Sequence, residues 1–139
     1  MMDEMKIGLI VSAVLFGAAC SMPALEFRNS QSPNTVMWGA SALAVGWSGI
    51  FAGVVAWYAN PFWLLGLILG FLRKPTPAAV AGAIALAIAG TTFSILGRQL
   101  PGDEGGVTKT TVIRLLPGCY VWMASLLAVP LASVVARFK

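Results

Sequence analysis

Apolar residues fall along this chain in long blocks, and the charged residues are confined to the gaps between them. The central block, residues 36–72, holds no charged residue and is flanked by Arg28 on one side and Arg73-Lys74 on the other. An uncharged run of about 37 residues is far longer than the roughly 20 of a long buried helix in a soluble protein, so the chain reads as lipid-facing. Three further blocks of span length follow the same pattern, at residues 7–25, 78–96 and 115–136. The predicted fold is all-α: a single-domain integral membrane helical bundle over residues 1–139 with four full spans, at 7–25, 36–58, 78–96 and 115–136. A short or re-entrant helix is expected at 62–72, and five spans is the alternative if that piece crosses.

Aromatic and small residues refine these spans. Trp38 and Trp57-Tyr58 lie about 19 helical steps apart, about 28 Å, which matches two interfacial aromatic girdles around one crossing. Between them Gly39, Ala42, Gly46, Gly49 and Gly53 recur at steps of three and four and predict a narrow helix-packing stripe. It reads either as a dimerisation seam or as packing within the chain. Ala83, Ala87, Gly90 and Ser94 predict a second stripe of the same period, and Ser125, Ala128, Ala132 and Ala136 a third. Asn60-Pro61 predicts a helix break, because proline lacks an N–H and disfavours helix at the residue before it.

The gaps read as connections. EFRNSQSPNT, residues 26–35, is a polar link, and GRQLPGDEGGVTKTT, residues 97–111, is the longest, with Asp103-Glu104 at a solvated tip. Pro75 and Pro77 suit the first turn of a new helix, and Pro130 is expected to kink the last one. Near the N-terminus, MKIGLIVSAVLFGAAC resembles a lipoprotein signal ending at Cys20, but Gly17 and the continued apolar run to Leu25 favour a retained span.

Composition supports the membrane reading: 58% of the residues are hydrophobic and only 10% charged, against about 25% charged in soluble domains. The net charge of +4 is scattered over span ends, which argues against nucleic acid as a partner. There is no His, and Cys20 and Cys119 make neither a zinc site nor a disulfide framework. All five carboxylates, Asp3, Glu4, Glu26, Asp103 and Glu104, lie outside the apolar blocks, unlike the buried acids of proton-coupled carriers. No catalytic residue, cofactor site or metal site is expected, and no enzymatic activity. Lys and Arg divide five against four between the two sides in either topology, so they do not set the orientation.

The segments AWYANP (Ala56 to Pro61) and GCYVWMAS (Gly118 to Ser125) resemble stretches of uncharacterised small multi-span proteins of bacteria. The resemblance implies a bacterial inner membrane and transfers no activity. The expected function is that of a small non-enzymatic inner-membrane protein. It would act through helix–helix contacts, as an accessory subunit or an immunity or defence factor, with the lipid bilayer and a membrane protein or a second copy as partners. The alternative is a homo-oligomeric channel or small-solute transporter, motivated by the break at Asn60-Pro61.

Overall fold

The first and last helices each continue directly into a strand, and the architecture follows from that pairing. Helix α1 (Glu4–Cys20) is capped by the Asp3 carboxylate, which accepts the Lys6 N–H at 2.9 Å. It passes through Ser21-Met22 into strand β1 (Pro23–Asn29). After β2 (Thr35–Trp38), α2 (Gly39–Val45), α3 (Ala59–Phe71), α4 (Pro75–Gly90) and β3 (Gln99–Pro101), strand β4 (Lys109–Leu115) leads into α5 (Pro117–Arg137). In this computed structural model, which describes residues 3–102, 105 and 107–139, α1 and α5 run antiparallel. Gly8 abuts Ala132, Ser12 reaches Ser125, and Gly118 abuts Met22 and Pro23. Strands β1 and β4 extend the same pairing, with Glu26 opposite Arg114 and the two side chains in an ion pair at 2.6 Å. β2 and β3 add at the outer edges, giving a four-stranded antiparallel sheet in the order β2-β1-β4-β3. The Asp103-Glu104 tip lies outside the described residues.

The sheet overturns the all-α expectation. Residues 26–35 and 97–111 were expected as bare connections, yet much of both is strand. The isolated span predicted at 36–58 is also absent. Val36, Met37 and Trp38 belong to β2, and α2 is only seven residues long before it tightens into a 3-10 turn at Gly46–Ala52. Gly53 then takes a left-handed conformation, φ 72°, which ends that turn. The chain folds back on itself: Trp57 Nε1–H donates to the Leu43 carbonyl at 2.8 Å and the Tyr58 hydroxyl to the Trp47 carbonyl at 3.3 Å. Nor is there a break at Asn60-Pro61. A 3-10 turn at Ala56–Tyr58 runs straight into α3, and Pro61 lies in the first turn of α3, where an amide has no acceptor within the α-helix. Among the described residues two helices, Pro75–Ile95 and Pro117–Arg137, are long and apolar enough to cross a membrane, in place of the four or five expected.

Three glycines bring α1, α3, α4 and α5 together at the end away from the sheet. A Cβ on Gly82 would stand 2.7 Å from Pro130 Cδ, one on Gly70 2.8 Å from Leu9 Cδ1, and one on Gly66 3.3 Å from the Ala78 carbonyl oxygen. Gly82 thus makes room for the Pro130 ring, and α5 continues through the proline to Arg137. Ser12, fully buried, donates to the Ser125 carbonyl at 2.7 Å and accepts Trp63 Nε1–H at 2.9 Å. Trp63 in turn stacks on Phe16, with centroids 4.0 Å apart. At the same end Arg73 pairs with Asp3 at 3.3 Å, and Lys139 pairs with Glu4.

The second predicted stripe is out of phase with the true contact. α4 buries Ala78, Ala81, Gly82, Ala85 and Ala89, whereas Ala83, Ala87, Gly90 and Ser94 face outward. Nothing lies within 4 Å of a Cβ built on Gly90. Of the third stripe, Ser125 and Ala132 are buried in α5.

Candidate functional site: an apolar cavity under the sheet

Towards the sheet the elements stand apart and enclose a partly open cavity of about 930 Å³. Phe16, Ala19 and Cys20 of α1 line one side, Phe27 and Met37 of the sheet another, and Ala42, Gly46 and Phe51 of the α2 segment a third. Asn60, Thr92, Ile95, Cys119 and Trp122 contribute from α3, from the 3-10 extension of α4 at Thr91–Ile95, and from the start of α5. The cavity exists because the α2 segment folds over the helices without descending between them. That segment is tied at its end by Arg98, whose Nη2 donates to the Ala52 carbonyl at 3.0 Å and Nη1 to the Gly53 carbonyl at 3.4 Å.

A layer of Ala59, Ala85, Ala89 and Leu126 closes the bundle below. Asn60, Thr92 and Trp122 border that layer and reach the cavity. Trp122 Nε1–H donates to Asn60 Oδ1 at 2.8 Å. An indole N–H is a donor only, so this bond assigns the Asn60 amide: oxygen to Trp122, nitrogen left over. No partner to that nitrogen is found among the described residues. Thr92 Oγ1 is buried and has no hydrogen-bond partner, with the residue 3% exposed. Its neighbours behave otherwise: Thr91 donates to the Ile88 carbonyl and Ser94 to the Thr91 carbonyl, both at 2.6 Å. Among the described residues no Asp, Glu, Lys or Arg lines the cavity.

The first predicted packing stripe comes to this cavity, though not as a helix seam. Gly39, Ala42, Gly46 and Gly49 line it, while Gly53 sits under the Arg98 guanidinium. Gly39 lets the Ala19 carbonyl approach closely and donates its own N–H to the Met22 carbonyl at 2.9 Å. Gly46 makes room for Trp57, 2.7 Å from where a Cβ would be. Asn60 belongs to the site as a lining residue. The sequence gives no site role to Thr92 or Trp122, and Cys20 and Cys119, read there as neither a zinc site nor a disulfide framework, are free thiols on the cavity wall. The available signal was the rarity of hydrogen-bonding side chains inside uncharged runs. Among the described residues no three or more His, Cys, Asp and Glu side chains gather as a metal site would require.

Outside the cavity the helices present an apolar surface that includes Ile10 and Val14 of α1, Leu65 and Ile68 of α3, Val80 and Ile84 of α4, and Leu131 and Val135 of α5, all exposed. Only 39% and 33% of the apolar windows of Pro75–Ile95 and Pro117–Arg137 are buried, less than the core helix of a soluble protein would bury. No known protein family, curated protein or solved structure matches the chain.

Proposed function

We propose that this chain is a non-enzymatic integral membrane protein that binds an apolar ligand from the bilayer in the cavity beneath its sheet. The cavity carries the reading: it has the size of a small-molecule site, is walled mainly by carbon, and has some polar residues and, among the described residues, no charged one on its lining. The exposed apolar helix faces support burial in lipid, and the sheet, with its Glu26–Arg114 pair and polar edge strands, suits the membrane surface. On the sequence resemblance the bilayer is assigned as the bacterial inner membrane.

Two measurements test this. Alkaline carbonate should leave the protein in the membrane pellet; its release would end the membrane reading. An alkyl diazirine photolabel in the bilayer should modify cavity residues such as Phe16, Met37 and Trp57 in addition to lipid-facing ones. Ala42→Trp, which puts a bulky ring into the cavity, should weaken the cavity labels and keep those on Ile10 and Leu131. Labelling confined to the outer face in the unaltered protein would refute ligand entry.

The outward stripe of α4 favours a second reading, helix docking on a membrane-protein partner or a second copy. Ala83, Ala87 and Gly90 leave a shallow lipid-facing groove of the kind that lets helix backbones approach. Accessory roles belong here. Ala87→Leu should then shift the mass of the detergent-solubilised assembly, and an unchanged mass would remove the support.

A further inference from the structure

We propose that the cavity selects neutral lipids that carry a carbonyl oxygen, recognised by the Asn60 amide N–H groups and the Thr92 hydroxyl. The inference rests on the ligand-binding reading above and adds the chemistry of the ligand.

Thr92 Oγ1 is the first observation. A buried hydroxyl without a partner is unfavourable, and a threonine in a helix ordinarily relieves this by donating to a carbonyl one turn back, as Thr91 does. Thr92 does not; the residue lines the cavity with its hydroxyl covered, so a turn about χ1 is what would bring this donor to a ligand. Asn60 is the second observation and is independent of the first. Its oxygen is taken by Trp122, so what it offers the cavity is the donor half of the amide. Both groups can donate, so the matching ligand atom is an acceptor.

Charge narrows the class. With no Lys or Arg on the lining, a carboxylate or phosphate drawn into this space would lose its hydration and meet no counter-ion. The acceptor is therefore neutral. Asn29, Thr35, Ser48 and Thr110 add polar groups elsewhere on the lining, and the apolar part of the wall, with Phe16, Ala19, Phe27, Met37, Ala42 and Ile95, takes an alkyl or isoprenoid body. A carbonyl on such a body is found in an acylglycerol ester and in a lipid quinone.

Competition against the alkyl diazirine photolabel, with the full chain in nanodiscs, separates the possibilities. The probes are monoolein, decylubiquinone, oleate and octadecene. Monoolein or decylubiquinone should displace the cavity label at about tenfold lower concentration than octadecene, the factor expected of one hydrogen bond. Oleate should show no such advantage. Which of the two carbonyl probes competes better assigns the source, ester or quinone. Thr92→Val keeps the side-chain shape and Asn60→Leu removes the donor. Each should bring the carbonyl probe towards octadecene while leaving the cavity label itself in place, which also shows that the variant is folded. If carbonyl and hydrocarbon probes compete equally in the unaltered protein, or if the variants keep the advantage, the two donors serve bound water and the inference is overturned, with ligand binding intact. If no probe and no label reaches the cavity, the binding reading fails and takes the inference with it.

Discussion

The two ends of the helical bundle are made of the same small and apolar residues and pack in opposite ways. Away from the sheet, Gly66, Gly70 and Gly82 each receive a neighbour into the space a side chain would fill, and the helices touch. Beneath the sheet, Gly39, Gly46 and Gly49 line an open cavity; Gly39 at its edge still admits the Ala19 carbonyl of α1, but the atoms nearest to Gly46 and Gly49 come from residues close by in sequence, Trp57 and Val54. Glycine by itself therefore does not make a helix seam. It does so where continuous helices bring a bulky partner, here Pro130 or Leu9, opposite to it. In the α2 segment the helix stops after seven residues, so the same glycines serve turns and wall contacts.

Substitutions can break or sharpen this contrast. The largest effect is expected of Gly82→Leu, since its Cβ would meet Pro130 Cδ at 2.7 Å and the Pro130 backbone nitrogen at 3.1 Å. Backbone cannot swing aside, so a loss of about 3 kcal/mol is expected, read as a fall of about 10 °C in Tm in detergent. A Tm within a degree or two of the unaltered protein would show that the α4–α5 contact is loose. Gly46→Leu should be milder, about 1–2 kcal/mol, because the atom it meets is the Trp57 side chain, which can move at the expense of its bond to Leu43. A blue shift or quenching change in tryptophan emission should accompany the drop, and a loss as large as that of Gly82→Leu would erase the distinction between the two ends. Ser12→Ala leaves the Trp63 N–H without its partner inside the tight end and should cost about 1 kcal/mol. Equal Tm for Ser12→Ala and the unaltered protein would mean that Trp63 finds another acceptor. Gly90→Leu should change Tm by less than about 0.5 kcal/mol's worth, since nothing stands within 4 Å of its Cβ. A large fall there would place an unseen partner on the outer face of α4.

How much of this was legible beforehand differs by element. The start of α4 at Pro75 was readable from Pro75-Thr76-Pro77, and the course of α5 from the apolar run after Pro117-Gly118. The strands are hidden from a reading by hydropathy although β4 carries Thr110, Thr111, Val112 and Ile113, a β-branched run of the kind that favours extended chain. Its polar flanks and the glycines before it made the whole stretch look like a loop. The site was legible in part. Asn60 stood out as a polar residue in an uncharged run, but it was assigned to a break because Pro61 follows, and a proline after a helix has begun reads the same as one that ends it. Thr92 gave no separate signal, since Thr91 and Ser94 beside it have the same chemistry and are satisfied by their own helix.

Taken alone, the sequence determined where the apolar runs and the charged ends lie, and that no Asp, Glu, Lys or Arg enters those runs. Those properties follow from composition over long windows and do not depend on partners. The tertiary structure alone decided that the polar connections after α1 and before α5 pair as a sheet, because strand pairing is a contact between residues some 80 to 90 positions apart, as in Glu26 with Arg114. It also decided which face of α4 is inside. A helix with Ala, Gly and Ile all round has no charged side to set its rotation. The notch at Gly82 matches the Pro130 ring, and that fit, made only when α5 arrives, turns Ala85 inward and Ala87 out.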